Sequence, residues 1–194
     1  MIETPRNPQE TPEEVFERVC TPENLNEILA ELVPRFLKKG NEDDETMYGA
    51  DLRIGRADTT DKHGFFWDTE AGLRLYADGK LLGCIGFIIY KDVVTVAQLQ
   101  SDALPGAVPP IRWERLLVEL LDRVLVRTGG YSALEIMRAE VTNWFDSGDP
   151  EITDQELKEY QDRLRRRYDG TARALRFKKG DDCWTRPIVS PTSK

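Results

Sequence analysis

Residues 93–139 read VVTVAQLQSDALPGAVPPIRWERLLVELLDRVLVRTGGYSALEIMRA, and this stretch predicts a strand, a loop, a long helix and a second strand. The first strand is Val93–Gln100, and the loop extends from Ser101 to Pro110. Apolar residues then recur at the three- and four-residue spacing of an amphipathic helix, which we place at Ile111–Thr128. The second strand is Ser132–Ala139. A single helix between two strands predicts a crossover connection and parallel strands.

Two helices and an antiparallel meander are predicted before this unit. The helices begin at Thr11-Pro12 and Thr21-Pro22, because threonine caps a helix and proline suits its first turn. Two strands of the meander are joined by the Asp78-Gly79 turn. Gly83 and Gly86 lie inside the second of these strands, where a glycine indicates a bulge or the close approach of another group.

A further helix and a hairpin are predicted after the crossover unit. A capping box at Thr153–Glu156 starts the helix, and we expect Asp169-Gly170 to end it. Thr171–Phe177 and Cys183–Val189 are then expected to form a closing hairpin. The complete pattern predicts a flexible arm at residues 1–10, a single domain at residues 11–189 and a frayed tail at residues 190–194.

The overall composition is that of a globular chain. Its 194 residues are 40% hydrophobic and 32% charged. The net charge of −8 argues against binding to nucleic acid, since phosphate contacts need a concentrated positive surface. No apolar run approaches the length of a membrane span, so we expect no membrane partner.

The cysteines and the single histidine limit the chemistry that the chain can support. Cys20, Cys84 and Cys183 are odd in number and widely spaced, which indicates reduced thiols and a cytoplasmic location. His63 stands outside any cluster of cysteine and histidine residues, so we predict no metal site.

The order of elements resembles the GNAT acyltransferase superfamily, and within it a divergent bacterial group of GNAT-like proteins. The resemblance covers roughly Leu73 to Ile188. It includes the run Tyr168–Phe177, followed by Trp184, which is similar to the closing helix and hairpin of that family. The resemblance implies an α+β fold with a mixed, mostly antiparallel sheet, helices on both faces and a β-α-β crossover at residues 93–139.

The resemblance also implies acyl transfer from acetyl-CoA or another acyl-CoA to a small-molecule or peptide amine. In the family, the pantetheine arm lies in a split between the two parallel strands, and the pyrophosphate lies on backbone amides at the start of the crossover helix. The corresponding positions here are Gln98, Leu99 and Gln100 for the arm, and Gly106, Ala107 and Arg112 for the pyrophosphate. The sequence leaves the oligomeric state open, a homodimer being one option.

Two residues are candidates for proton transfer, and each has a structural alternative. Tyr168, near the expected helix end, could donate a proton to a leaving thiolate, or it could be a packed aromatic residue. Glu135, on the second parallel strand, could act as a general base toward an amine, or it could be a surface charge.

Three other features also leave two interpretations open. Gln98 and Gln100 share one face of their strand, where they would contact a ligand in the split or face solvent. The basic run Arg163–Arg167 would meet a phosphate or pair with nearby carboxylates. The aromatic segments Phe65–Trp67 and Trp144-Phe145 would anchor loops on the core or face a ligand.

The loop before the crossover helix supports a rival function. The family pattern there is Gln/Arg-x-x-Gly-x-Gly/Ala, whereas Gln100–Pro110 contains one glycine, three prolines and Asp102. Proline lacks an amide donor, and a carboxylate repels phosphate. The alternative is therefore a catalytically degenerate GNAT-like domain that serves as a ligand-binding or protein-interaction module.

Overall fold

The computed structural model describes residues 10–41, 45–54, 69–101, 110–142, 145 and 153–189. The helices in these regions are α1 (Pro12–Val19), α2 (Pro22–Phe36), α3 (Trp113–Thr128) and α4 (Asp154–Ala174), with a short 3-10 helix at Ala139–Val141. The strands are β1 (Tyr48–Ile54), β2 (Ala71–Ala77), β3 (Lys80–Tyr90), β4 (Val93–Ser101), β5 (Ala133–Met137), β6 (Lys178–Lys179) and β7 (Cys183–Pro187).

The described strands form one mixed sheet in the order β1-β2-β3-β4-β5-β7-β6. Neighbours from β1 to β4 are antiparallel, β4 and β5 are parallel, and β7 is antiparallel to both β5 and β6. The predicted fold class, α+β with a mostly antiparallel mixed sheet and a β-α-β crossover, is confirmed. The crossover helix begins at Trp113 rather than Ile111, because Ile111 is held in a bridge to Leu37.

Local sequence signals set the helix starts and the first hairpin. Thr11 and Thr153 each form a reciprocal capping box with a glutamate three residues later. Thr21 caps α2 by accepting a hydrogen bond from a first-turn amide. Asp78 and Gly79, between β2 and β3, have φ angles of 49° and 74°, which a tight primed hairpin turn requires.

One large apolar cluster joins the sheet to the helices. The ring centroid of Phe16 on α1 lies 5.4 Å from that of Phe87 on β3. Trp113, at the start of α3, packs on Gly83 of the same strand, where an added Cβ would lie 2.7 Å from the indole ring. The sequence prediction of a close approach at Gly83 is therefore confirmed, and this contact sets the distance between α3 and the sheet.

The sheet opens in the second half of β4. The register between β3 and β4 shifts beside Gly86, so that Ala97 is an extra residue in β4 and forms a bulge. Pairing between β4 and β5 ends at Val96 and Ile136. Among the described strands, β4 then pairs with β3 alone as far as Ser101, and its other edge faces a split.

Helix α4 is longer than the sequence predicts. Gly170 lies inside the helix, which continues to Ala174. The expected strand at Thr171–Phe177 is wrong, and β6 comprises only the two residues after it. Ala172 is fully buried, and we infer that packing of this last turn outweighs the helix-propensity cost of a glycine. The positive φ that follows the helix is at Arg176, with a value of 62°.

Candidate functional site

The open edge of β4 presents the backbone of Leu99 to the split. The Leu99 side chain is buried in the core, while its N–H and its C=O both bond to side chains of α4. An extended ligand that adds to a sheet edge needs such a donor and acceptor pair. The backbone of Leu99 therefore offers the groups that an amide-containing ligand could use.

Tyr168 of α4 fills part of this split. Its hydroxyl accepts a hydrogen bond from Leu99 N at 3.0 Å and donates one to Ala97 O at 3.3 Å. The side chain is 2% exposed, and this burial raises the pKa of the Tyr168 phenol to about 12. The phenol is therefore protonated at neutral pH, and it lies against the backbone groups that a ligand in the split would meet.

The basic run on α4 divides into residues with different surroundings. Arg165 pairs with Glu140 and Asp162, each at 3.2 Å. For this residue, the interpretation that the basic run pairs with nearby carboxylates is confirmed. Arg166 is exposed. Arg167 instead turns toward β4, so the run as a whole does not form one phosphate-binding surface.

Arg167 is a site residue that the sequence did not single out. Its Nη1 donates to Leu99 O and its Nη2 donates to Ser101 Oγ, both at 3.3 Å. Its guanidinium carbon lies 5.7 Å from the centroid of the Trp113 ring, and its Nε lies 3.9 Å from Glu114 Oε1. The only sequence signal was its place in a basic run beside Tyr168, which does not distinguish it from its neighbours.

Gln98 and Gln100 form a pair on one face of β4, as their spacing predicts. Gln98 Nε2 donates to Gln100 Oε1 at 2.8 Å. Gln98 is 4% exposed, so the interpretation that it faces solvent is wrong. An added Cβ on Gly86 would lie 2.9 Å from Gln98 Oε1, which shows that this glycine makes room for the amide. Contact of either glutamine with a ligand stays a prediction.

Glu135 is held between the strands that flank β5. Thr95 Oγ1 of β4 and Thr185 Oγ1 of β7 each donate to one of its carboxylate oxygens at 3.2 Å. The side chain is half-buried. Glu135 pairs with Thr95 of β4, one residue before the last β4–β5 pair. Both oxygens accept hydrogen bonds from neighbouring strands, so Glu135 is more than an isolated surface charge. Its role as a general base stays a prediction.

The start of α3 is tied to the end of α2. Arg112 is the exposed N-cap of α3, and its side chain makes no capping hydrogen bond. Its amide donates to Phe36 O at 2.9 Å, so that amide is already used. An anion at the helix start would have to use amides of the first turn after it. Gly106 and Ala107, predicted for the same role, lie outside the described residues.

Asp169 anchors α4 beside the split. The carboxylate is buried, and its Oδ1 accepts hydrogen bonds from Trp184 Nε1 at 2.9 Å and from Ala139 N at 3.4 Å. These contacts join α4 to β7 and to the turn after β5. Because Asp169 follows Tyr168 directly, the anchor also places the phenol at the open edge of β4.

Metal binding and thiol chemistry are the two other kinds of reactivity that bear on the described residues. They contain no group of three or more His, Cys, Asp or Glu residues that could hold a metal ion. The three cysteines are free thiols, and burial raises the pKa of Cys20 to about 12 and that of Cys183 to about 11. These two thiols are therefore protonated near neutral pH, whereas the thiolate is the reactive form.

Two other predictions concern aromatic segments and membranes. Phe145 is buried, which favours an anchoring role for it. Trp144 and Phe65–Trp67 lie outside the described residues.

Within the described part of the chain, no helix has both the length and the apolar character needed to cross a membrane.

Comparison with known proteins leaves the family open. No family model and no curated protein matches the chain. Two solved structures of N-acetylglutamate synthase from Neisseria gonorrhoeae align with it, each at a TM-score of 0.32. The one complexed with coenzyme A and N-acetyl-glutamate is 21% identical and is aligned over 61% of this chain and 26% of its own.

The other structure, complexed with coenzyme A and L-arginine, is 17% identical and is aligned over 88% of this chain and 32% of its own. The chain thus spans between a quarter and a third of the length of these proteins.

Proposed function

We propose that the chain transfers an acyl group from acetyl-CoA or another acyl-CoA to a small-molecule or peptide amine, with the split beside β4 as the binding site for the acyl donor. The observation that carries the proposal is the open β4 edge after the Ala97 bulge, where Leu99 offers a donor and an acceptor beside the phenol of Tyr168. The Leu99 N–H suits the thioester carbonyl, and the Leu99 C=O suits an amide N–H of the pantetheine arm.

The proposed reaction needs few catalytic side chains. A neutral amine nitrogen attacks the thioester carbonyl carbon, so that a new N–C bond forms and the C–S bond breaks. The Leu99 N–H polarises the carbonyl once the Tyr168 hydroxyl has moved aside. Tyr168 then gives its proton to the departing thiolate, and Glu135 takes the proton that the amine loses. Exchange with water restores both groups, and the products are an amide and the CoA thiol.

A second candidate function rests on the same contacts. The N–H and C=O of Leu99 already have partners in Tyr168 and Arg167. Leu99 O can accept a second hydrogen bond with Arg167 in place, but the single Leu99 N–H must be released by Tyr168. If the Tyr168 hydroxyl does not yield that N–H to a thioester, the split is closed and the domain acts as a ligand-binding or protein-interaction module without transfer activity. Donor binding is therefore the measurement that separates the two functions.

Acetyl-CoA and CoA should each raise the melting temperature of the protein. A ligand that binds only the folded state at about 100 times its dissociation constant adds about 2.7 kcal/mol, which corresponds to roughly 5–10 °C for a chain of this size. Differential scanning fluorimetry at rising ligand concentration measures the shift, with ATP as a control for phosphate binding alone. No shift at millimolar CoA would refute the proposed transfer and leave the binding-module candidate.

Replacing Tyr168 by phenylalanine should lower kcat about 100-fold, because a positioned general acid contributes roughly that factor or more. The measurement is release of the CoA thiol during transfer to a panel of primary amines. Tyr160→Phe on the same helix is the matched control and should keep its rate. Because the Tyr168 pKa is about 12, the phenol should not titrate between about pH 6 and pH 9. An unchanged kcat in Tyr168→Phe would assign Tyr168 to packing.

A further inference from the structure

Arg167 connects three elements of the fold. It belongs to α4, its guanidinium donates to Leu99 O and Ser101 Oγ on β4, and it lies over Trp113 at the start of α3. Its side chain is 34% exposed, so the guanidinium stands at the boundary between the core and the solvent. This position is where β4 ends and α3 begins.

The geometry of the contact suits arginine in particular. A planar fork can donate from two nitrogens to two acceptors while its face stacks on an indole ring. Trp113 cannot move toward the sheet, because its ring already packs on Gly83. The Arg167 side chain therefore holds the last residues of β4 at a defined distance from the first turn of α3.

We propose that Arg167 is a positioning residue for the acyl-CoA site: it sets the spacing between the end of β4 and the first turn of α3. This inference rests on the proposed function, with one part of the donor along β4 and its phosphates, as the GNAT resemblance implies, at the start of α3. A ligand that contacts both parts binds well only when their separation matches its own length. Arg167 therefore affects the affinity for the acyl donor indirectly, by holding the β4 backbone in place.

Isothermal titration with CoA tests the inference in four variants of the full chain. Arg167→Met and Arg167→Lys should each weaken binding about tenfold, because lysine cannot reproduce the two-acceptor fork. Ser101→Ala removes one acceptor and should weaken binding about twofold. Arg166→Met removes the same charge from an exposed neighbour and should leave the affinity unchanged. Urea unfolding of each variant checks that it is folded under the titration conditions.

Three results would overturn the inference while the unsubstituted protein binds CoA. The first is that Arg167→Met binds CoA with the affinity of the unsubstituted protein. The second is that Arg167→Lys also keeps that affinity, which would show that charge alone matters. The third is that Arg166→Met weakens binding as much as Arg167→Met does. Should Arg167→Met fail to fold, Ser101→Ala and Arg167→Lys decide the question. Absence of CoA binding by the unsubstituted protein is a separate outcome, and it removes the proposed function together with this inference.

Discussion

Asp169→Ala should lower the free energy of unfolding by about 3 kcal/mol, since it leaves donors without their charged acceptor. Trp184 Nε1 and Ala139 N both donate to Oδ1 of the buried Asp169 carboxylate. Alanine offers no acceptor, and the surrounding helix and strand leave little access to water. Urea unfolding followed by tryptophan fluorescence measures the loss.

Asp169→Asn is the matched control for this prediction. Because both donors share Oδ1, the asparagine oxygen can accept both hydrogen bonds, and we expect a loss of only about 1 kcal/mol. If alanine and asparagine destabilise the protein equally, the carboxylate charge and not the shared acceptor is what anchors α4. A loss below about 1 kcal/mol for alanine would contradict the anchor altogether.

Gly83→Ala should cost about 3 kcal/mol of stability, the upper part of the range for overpacking a core. The added Cβ would lie 2.7 Å from one Trp113 ring carbon and 2.9 Å from two others. The indole cannot retreat easily, because Trp113 is buried and begins α3 directly after the bridge between Ile111 and Leu37. Equilibrium unfolding in urea measures the effect.

Gly49→Ala provides the control for a strand glycine with free space. An added Cβ there meets only Asn26 Oδ1, at 3.9 Å, so we expect no loss and a gain of up to about 0.5–1 kcal/mol. In a double-mutant cycle, Trp113→Leu should cost less in the Gly83→Ala background than in the original protein, because leucine removes the clashing ring. Additive losses would show that Trp113 is not the obstacle.

The sequence predicted most of the fold because its main signals are local. The capping boxes at Thr11 and Thr153 and the Asp78-Gly79 turn operate within a few residues, and each is present. The crossover between β4 and β5 follows from one amphipathic helix between two apolar strands. The predicted end of α4 at Asp169-Gly170 is wrong, because the local stop signal of a glycine is outweighed by burial of Ala172 in a further turn.

The candidate site was only partly predictable. The resemblance to the GNAT superfamily implied a split at Gln98–Gln100, and the structure shows an open strand edge there. Composition and spacing could not show that Arg167 reaches Leu99 O, since residues 68 positions apart meet only after the sheet and α4 are in place. Neither could they show that Gln98 is buried, which depends on the space beside Gly86.

By itself the sequence determined the order of helices and strands and the crossover, because these follow from hydrophobic period and turn chemistry along the chain. Only the tertiary structure decided which groups fill the resulting split. Tyr168 and Arg167 reach the Leu99 backbone because Asp169 fixes α4 against β7 and the turn after β5. Those contacts depend on distances between elements far apart in the chain, and no local pattern of residues encodes them.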